Sequence, residues 1–278
     1  MALDIPRIPL GPVIERTLDT LSDHLAPLTK SISATLETAI DAMGDGLLAV
    51  PPWVLIVVIS LAAWRFGSRR IGLLALFGLS LIANLGLWEP TVTTLVLVLF
   101  ATAIATAVGV PLGILAAMRP GWRRVIMPLL DFMQTMPAFV YLIPAIPFFG
   151  LGPVSAIFST VIFAMPPAIR LTCLGIRQVP ESLTEAADAF GATRMQRLRK
   201  VELPLALPTI MAGINQTIML SLSMVVIAAM IGARGLGGEV WKAIQRLEPG
   251  LGFEAGLAVV IVAVILDRVT QKLGSRNV

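Results

Sequence analysis

Two charges sit where a charge is costly: Asp131 and Arg170 both fall inside long apolar stretches. Asp131 lies eight residues after Arg123, and Arg170 lies seven before Arg177. If the two stretches cross a bilayer in opposite directions, both side chains reach about 10 Å from the same face at 1.5 Å per residue. Charges at that depth are usually paired or face water, so an Asp131–Arg170 ion pair near the inner face is expected, with separate snorkelling to the headgroups as the alternative. Other reactive groups are scarce. His24 is the only histidine and Cys173 the only cysteine. That is too few ligands for a histidine or cysteine metal site, and Cys173, in apolar sequence, has no obvious base to activate it. No Gly-x-x-x-x-Gly-Lys-Ser/Thr occurs, so the chain has no P-loop to cradle nucleotide phosphates.

The most organised polar segment runs from Ser182-Leu183-Thr184-Glu185-Ala186-Ala187-Asp188-Ala189-Phe190-Gly191 through basic residues to Leu203-Pro204. Ser182 with Glu185, and Thr193 with Gln196, both have capping-box spacing and predict two helix starts separated by a turn at Gly191. Leu183, Ala187 and Phe190 fall at i, i+4 and i+7, an apolar stripe on an otherwise polar helix. Met195, Leu198 and Val201 repeat the pattern, while Arg194, Arg197, Arg199 and Lys200 make the other faces basic. Two short amphipathic helices lying across a membrane surface are expected.

Composition sets the frame for both sites. With 56% hydrophobic and 14% charged residues the chain is too apolar for a soluble domain, where about a quarter of residues are charged. An all-α, polytopic membrane protein is expected. Its net charge of +4 is spread between apolar stretches, which argues against nucleic-acid binding. Windows of about 20 apolar residues give seven spans, near 47–64, 71–88, 91–118, 125–149, 152–176, 204–230 and 252–270. Arginines follow spans one, three and five, whereas the connections near Glu89 and Gly150 carry no Lys or Arg; the basic loops are therefore expected inside, with the N-terminus outside and the C-terminus inside. Pro137, Pro144, Pro147, Pro166 and Pro167 permit kinks or breaks in spans four and five.

The pattern Glu185-Ala186-Ala187, then Gly191, then Val201-x-Leu203-Pro204 resembles the cytoplasmic coupling loop of ABC importer permeases. Met133-Gln134-Thr135-Met136-Pro137-Ala138-Phe139-Val140-Tyr141, the run Phe163 to Arg170, Pro208-Thr209-Ile210-Met211-Ala212-Gly213, Ser221 to Ala228 and Gly235-Leu236-Gly237 are similar to the glycine betaine/proline betaine/choline branch. The resemblance covers roughly residues 90 to 272. It implies a type I permease bundle that contacts its ATPase through Glu185, Ala186, Ala187, Gly191, Leu203 and Pro204. No cofactor is implied on this chain, since ATP and Mg would sit on the partner ATPase. One docking loop per chain, set against paired ATPases, implies a homodimer with two ATPase subunits, served by an extracytoplasmic solute-binding protein in the bacterial cytoplasmic membrane. The implied substrate is a quaternary ammonium osmolyte, whose fixed cation is favoured over aromatic faces. Phe139, Tyr141 and Phe163, with Asn215, are the candidate path residues, although aromatics in spans are often simple packing and Asn215 would equally tie helices together. Gly235 and Gly237 are candidates for an outer gate or binding-protein contact; Arg234 stands where family members often have glycine.

The expected organisation is an extracytoplasmic tail with an amphipathic helix over 1–46, two accessory spans over 47–90, a permease core over 91–272 with the coupling loop at 180–203, and a cytoplasmic tail over 273–278. In the tail, apolar residues recur from Leu18 to Met43 every three or four positions, with a bend permitted at Pro27. That helix is too polar to span and lies on the outer face, packs against the bundle, or docks a partner. No apolar core of a cleavable signal peptide precedes it. Two other functions compete: an ion-coupled secondary transporter, for which deep acidic residues are few, and a membrane-embedded hydrolase, for which a nucleophile and base are not brought together.

Overall fold

The computed structural model describes residues Leu10 to Ser275. Among them there are helices and short connections and no strand. The expected tail at 273–278 begins as helix, and its last three residues lie outside the described ones, as do the first nine of the chain.

Four helical runs are long and apolar enough to cross a bilayer: α4 (Trp88–Met118), α7 (Pro153–Arg177), a continuous run from Arg194 to Ile231 that contains α10 (Leu203–Ala228), and α12 (Pro249–Ser275). The fourth expected span is broken. Helix α5 (Pro120–Thr135) stops before Pro137, which has no N–H to donate and holds Met136 extended at ψ 135°. A single 3₁₀ turn (Ala138–Tyr141) and α6 (Leu142–Phe149) then leave at 112°. Helix α1 (Leu10–Leu48) meets α2 (Pro52–Phe66) at 98°, because Pro51-Pro52 ends one helix and starts the next.

Helix α3 (Arg69–Asn84) is folded back on α2 with Ser68 as its N-cap. At 15 and 16 residues, α2 and α3 reach only about 22–24 Å against a hydrocarbon core of about 30 Å. Length and composition alone pick out four spans, or up to six if each bent pair counts as one, while the seven expected spans fall on α2, α3, α4, α5 with α6, α7, α10 and α12. The first and fourth windows ran across Pro51-Pro52 and Pro137, where the helices end or break.

The core is built on α7, which lies between α4 and α10. A Cβ on Gly113 would stand 2.7 Å from the Ile169 carbonyl oxygen, and one on Gly213 3.0 Å from that of Pro167. The bare glycines thus let both neighbours approach the α7 backbone, the usual solution where lipid supplies no hydrophobic driving force between helices. Thr102 Oγ1 donates to Ser221 Oγ at 3.3 Å and joins α4 to α10. Val96, Leu97, Ala101, Ile157, Leu222 and Val262 fill the space between them.

The amphipathic helix begins at Leu10, earlier than its apolar periodicity, and runs unbroken through Pro27 to Leu48. Its C-terminal half packs on the bundle through buried Ile40 with Leu36, Met43 and Leu47, and Ser22 Oγ donates to the Pro147 carbonyl at 2.7 Å. Leu21, Leu25, Leu28 and Ile32 remain exposed, so this stripe changes from open to packed along its length.

Candidate functional site: a docking loop at one end of the bundle

The segment after α7 is ordered by local rules alone. Pro180 takes the N-cap position and opens α8 (Glu181–Ala189), with Glu181 in the positive first turn. The expected Ser182–Glu185 capping box does not form, because the proline start moves Ser182 inside the helix. At the other end the Ala192 N–H bonds to the Ala187 carbonyl at 3.0 Å and the Gly191 N–H to that of Asp188 at 2.9 Å. This is a Schellman closure, with Gly191 in the left-handed region at φ +77°.

The second capping box does form: Thr193 N–H donates to Gln196 Oε1 at 2.8 Å, and Gln196 N–H to Thr193 Oγ1 at 3.3 Å. Helix α9 (Arg194–Arg197) is a single turn, not a separate surface helix. It passes through a π turn (Leu198–Glu202), where the Leu203 N–H reaches back to the Leu198 carbonyl, into α10. Pro204 lacks the amide that a regular α register would use, and the widened turn just before it accommodates this. The loop is therefore rigidly continuous with a spanning helix.

Arg197, expected only as part of a basic face, holds this geometry. Arg197 Nη1 lies 2.6 Å from Asp188 Oδ2 on α8, and its Nε lies 2.9 Å from Glu202 Oε1 at the foot of α10. Leu198 is buried against Ile176, Ala206 and Ile210, which fixes the base of the loop to α7 and α10. Helix α8 itself has no buried residue. Leu183 and Met195 are half exposed and Phe190 is 93% exposed. Glu185 and Ala186 face outward, Ala187 and Leu203 are half-buried, and Pro204 is exposed at the α10 start. The loop thus offers an apolar, unpartnered face on a braced frame.

A Cβ added at Gly191 would have nothing within 4 Å, so backbone conformation and not crowding restricts this position. Gly191→Val is expected to lose about 1–2 kcal/mol of local stability, whereas Gly191→Asn, which tolerates the left-handed region, should retain the loop. Limited proteolysis at the α8–α9 turn measures this: the valine variant is cut faster and the asparagine variant is not.

The remaining candidates divide into groups. Arg170 Nη2 and Asp131 Oδ1 are 2.6 Å apart, bridging α7 and α5 on the side that carries the loop. Tyr141 is buried, donates through its hydroxyl to the Met133 carbonyl, and meets Phe163 edge-on at 5.8 Å. Phe139 is apart from them and exposed. Asn215 is not in that aromatic group: its Nδ2 donates to Asp267 Oδ1 at 2.8 Å and its Oδ1 accepts from Thr270, so its amide joins α10 to α12.

Gly235 and Gly237 are packing positions at the start of α11 (Leu236–Arg246). A Cβ on Gly235 would lie 2.5 Å from Thr94 Oγ1, and one on Gly237 2.6 Å from Val226 Cα. The Leu236 N–H donates to Thr94 Oγ1 at 2.8 Å. Both glycines are buried in the single chain, and the exposed apolar groups of this helix are Ile244 and Leu247 at its far end.

Fold and loop together describe a helical subunit with helices long and apolar enough to cross a membrane and an ordered loop with an unpartnered apolar face. Residues 109–277 match the family described as binding-protein-dependent transport system inner membrane component. The glycine betaine transport system permease protein OpuAB of Bacillus subtilis is 51% identical over 97% of this chain and 95% of its own length. The glycine betaine/proline betaine transport system permease protein ProW of Escherichia coli is 46% identical over 96% of this chain and 75% of its own. A solved structure of the MetNI methionine ABC transporter in an inward-facing conformation superposes with a TM-score of 0.62 over 66% of this chain and 93% of its own, at 24% identity, and supports the fold. The chain belongs to the binding-protein-dependent transport system inner membrane component family: it is a permease subunit of an ABC transport system, not an enzyme.

Proposed function

We propose that this chain is the permease of an ATP-driven importer of quaternary ammonium osmolytes, glycine betaine, proline betaine or choline. The observation that carries the substrate class is the 51% identity, over nearly the whole chain, to a protein named as a glycine betaine permease. The mechanism rests on the braced loop. Two copies of the permease would each seat one ATPase subunit on the outward face of α8, with ATP and Mg held by the ATPase. Movement of that subunit would pass through Arg197 and the π turn directly into α10, since Arg197 ties α8 to the α10 foot. Residues 180–203 then lie in the cytoplasm, with the N-terminus outside and the C-terminus inside, an orientation supported by the arginines on the loop side. An extracytoplasmic binding protein would deliver solute at the opposite end. Tyr141, buried, and Phe163, half-buried, form an edge-on aromatic pair near the break at Pro137, and are the residues of this chain best placed for a cationic headgroup.

The test is uptake in proteoliposomes holding the permease, its ATPase and its binding protein. Radiolabelled glycine betaine, proline betaine or choline should accumulate only with ATP inside the ATPase compartment. Accumulation driven by an ion gradient without ATP would favour a secondary carrier instead.

A further inference from the structure

Beside the ion pair lies a feature that transport does not explain. Arg123 and Arg124, near the start of α5, and Arg170 and Arg177, in the last turns of α7, line one cavity of about 620 Å³. Among the described residues, no acidic side chain lines it. Asp131 engages one nitrogen of Arg170, but Arg170 Nε is buried with no hydrogen-bond partner among the described residues. Four guanidinium groups around one space repel each other, and a buried donor without an acceptor is costly. Both features call for an anion.

The walls say which kind. Met127, Pro128, Cys173 and Leu174 make the rest of the cavity apolar. A free inorganic anion would have no use for that apolar wall. An acyl chain would lie against it, with its phosphate among the arginines at headgroup level, since α7 ends at Arg177 where the membrane-surface loop begins. Basic cavities between spanning helices on the positively charged side of a membrane bind anionic lipid headgroups, and the planar guanidinium fork suits phosphate oxygens. We propose that this α5–α7 cavity binds the headgroup of an anionic phospholipid from the leaflet on the coupling-loop side.

The probe is phosphatidylglycerol against phosphatidylcholine. The full permease, assembled with its ATPase in nanodiscs of an equimolar mixture, is extracted and washed in neutral detergent, and retained lipid is measured by mass spectrometry. Phosphatidylglycerol should be enriched about tenfold or more over phosphatidylcholine, and R123Q/R124Q/R177Q should bring the ratio close to unity. R65Q/R69Q/R70Q, which removes the same charge from the α2–α3 turn, should retain the enrichment. Excess inorganic phosphate should not displace the lipid. Equal retention of the two lipids by the unsubstituted protein overturns the proposal, whether or not the triple variant assembles. Displacement by phosphate alone overturns it in favour of a free anion, and equal loss in both triple variants overturns it in favour of diffuse surface charge.

Discussion

Phe190→Asp is expected to leave the permease in the membrane at its usual abundance while weakening ATPase association about 30-fold, the effect of losing one aromatic anchor of about 2 kcal/mol. Phe190 is 93% exposed, so the substitution removes no contact within the chain and should not change folding. Its position just before the Gly191 closure fixes it on the outward edge of α8, the place where a large apolar side chain needs a partner to cover it. Pull-down of ATPase with detergent-solubilised permease reads association, and immunoblotting of membranes reads abundance. Reduced abundance with normal association would assign Phe190 to folding instead.

The second large effect concerns Asp131 and Arg170. Either reversal alone, Asp131→Arg or Arg170→Asp, places two like charges where a 2.6 Å contact now holds α5 to α7. Each is expected to reduce ATP-dependent uptake by about tenfold or more, because like charges within a membrane protein cannot both be accommodated cheaply. The double reversal should recover uptake to within about threefold of the starting protein, the non-additivity that marks direct coupling. The pair is part exposed in the single chain, so a purely stabilising role would be small. Its expected role is to keep α5, the helix that breaks at Pro137, fixed to α7. Failure of the double variant to recover uptake would show that the charges act separately.

Much of this was readable from sequence where a local rule decides. The apolar windows gave α4, α7, α10 and α12 because length against bilayer thickness needs no tertiary information. Gly191 and the Thr193–Gln196 capping box were legible for the same reason. The Ser182–Glu185 box misled because two rules competed over the same turn, and a proline at the N-cap outranked a hydroxyl two residues later. The first and fourth windows ran across Pro51-Pro52 and Pro137, because hydropathy is indifferent to a missing amide. Among residues joined across distance, Asp131 and Arg170 were legible from their matching depth, and the others were not. Arg197 lies nine residues from Asp188 and five from Glu202, spacings that a regular α-helix does not place together. Gly235 meets Thr94 and Asn215 meets Asp267 through packing alone, so neither glycine burial nor the fate of the amide could be read beforehand.

Coupling through the braced loop is tested most directly by replacing residues 182–192 with a glycine-serine spacer of equal length and measuring binding-protein-stimulated ATP hydrolysis and glycine betaine uptake in the same proteoliposomes. The account predicts a permease that still inserts, ATP hydrolysis that no longer responds to the binding protein, and uptake at the level of leak. Uptake at the unsubstituted rate would contradict it.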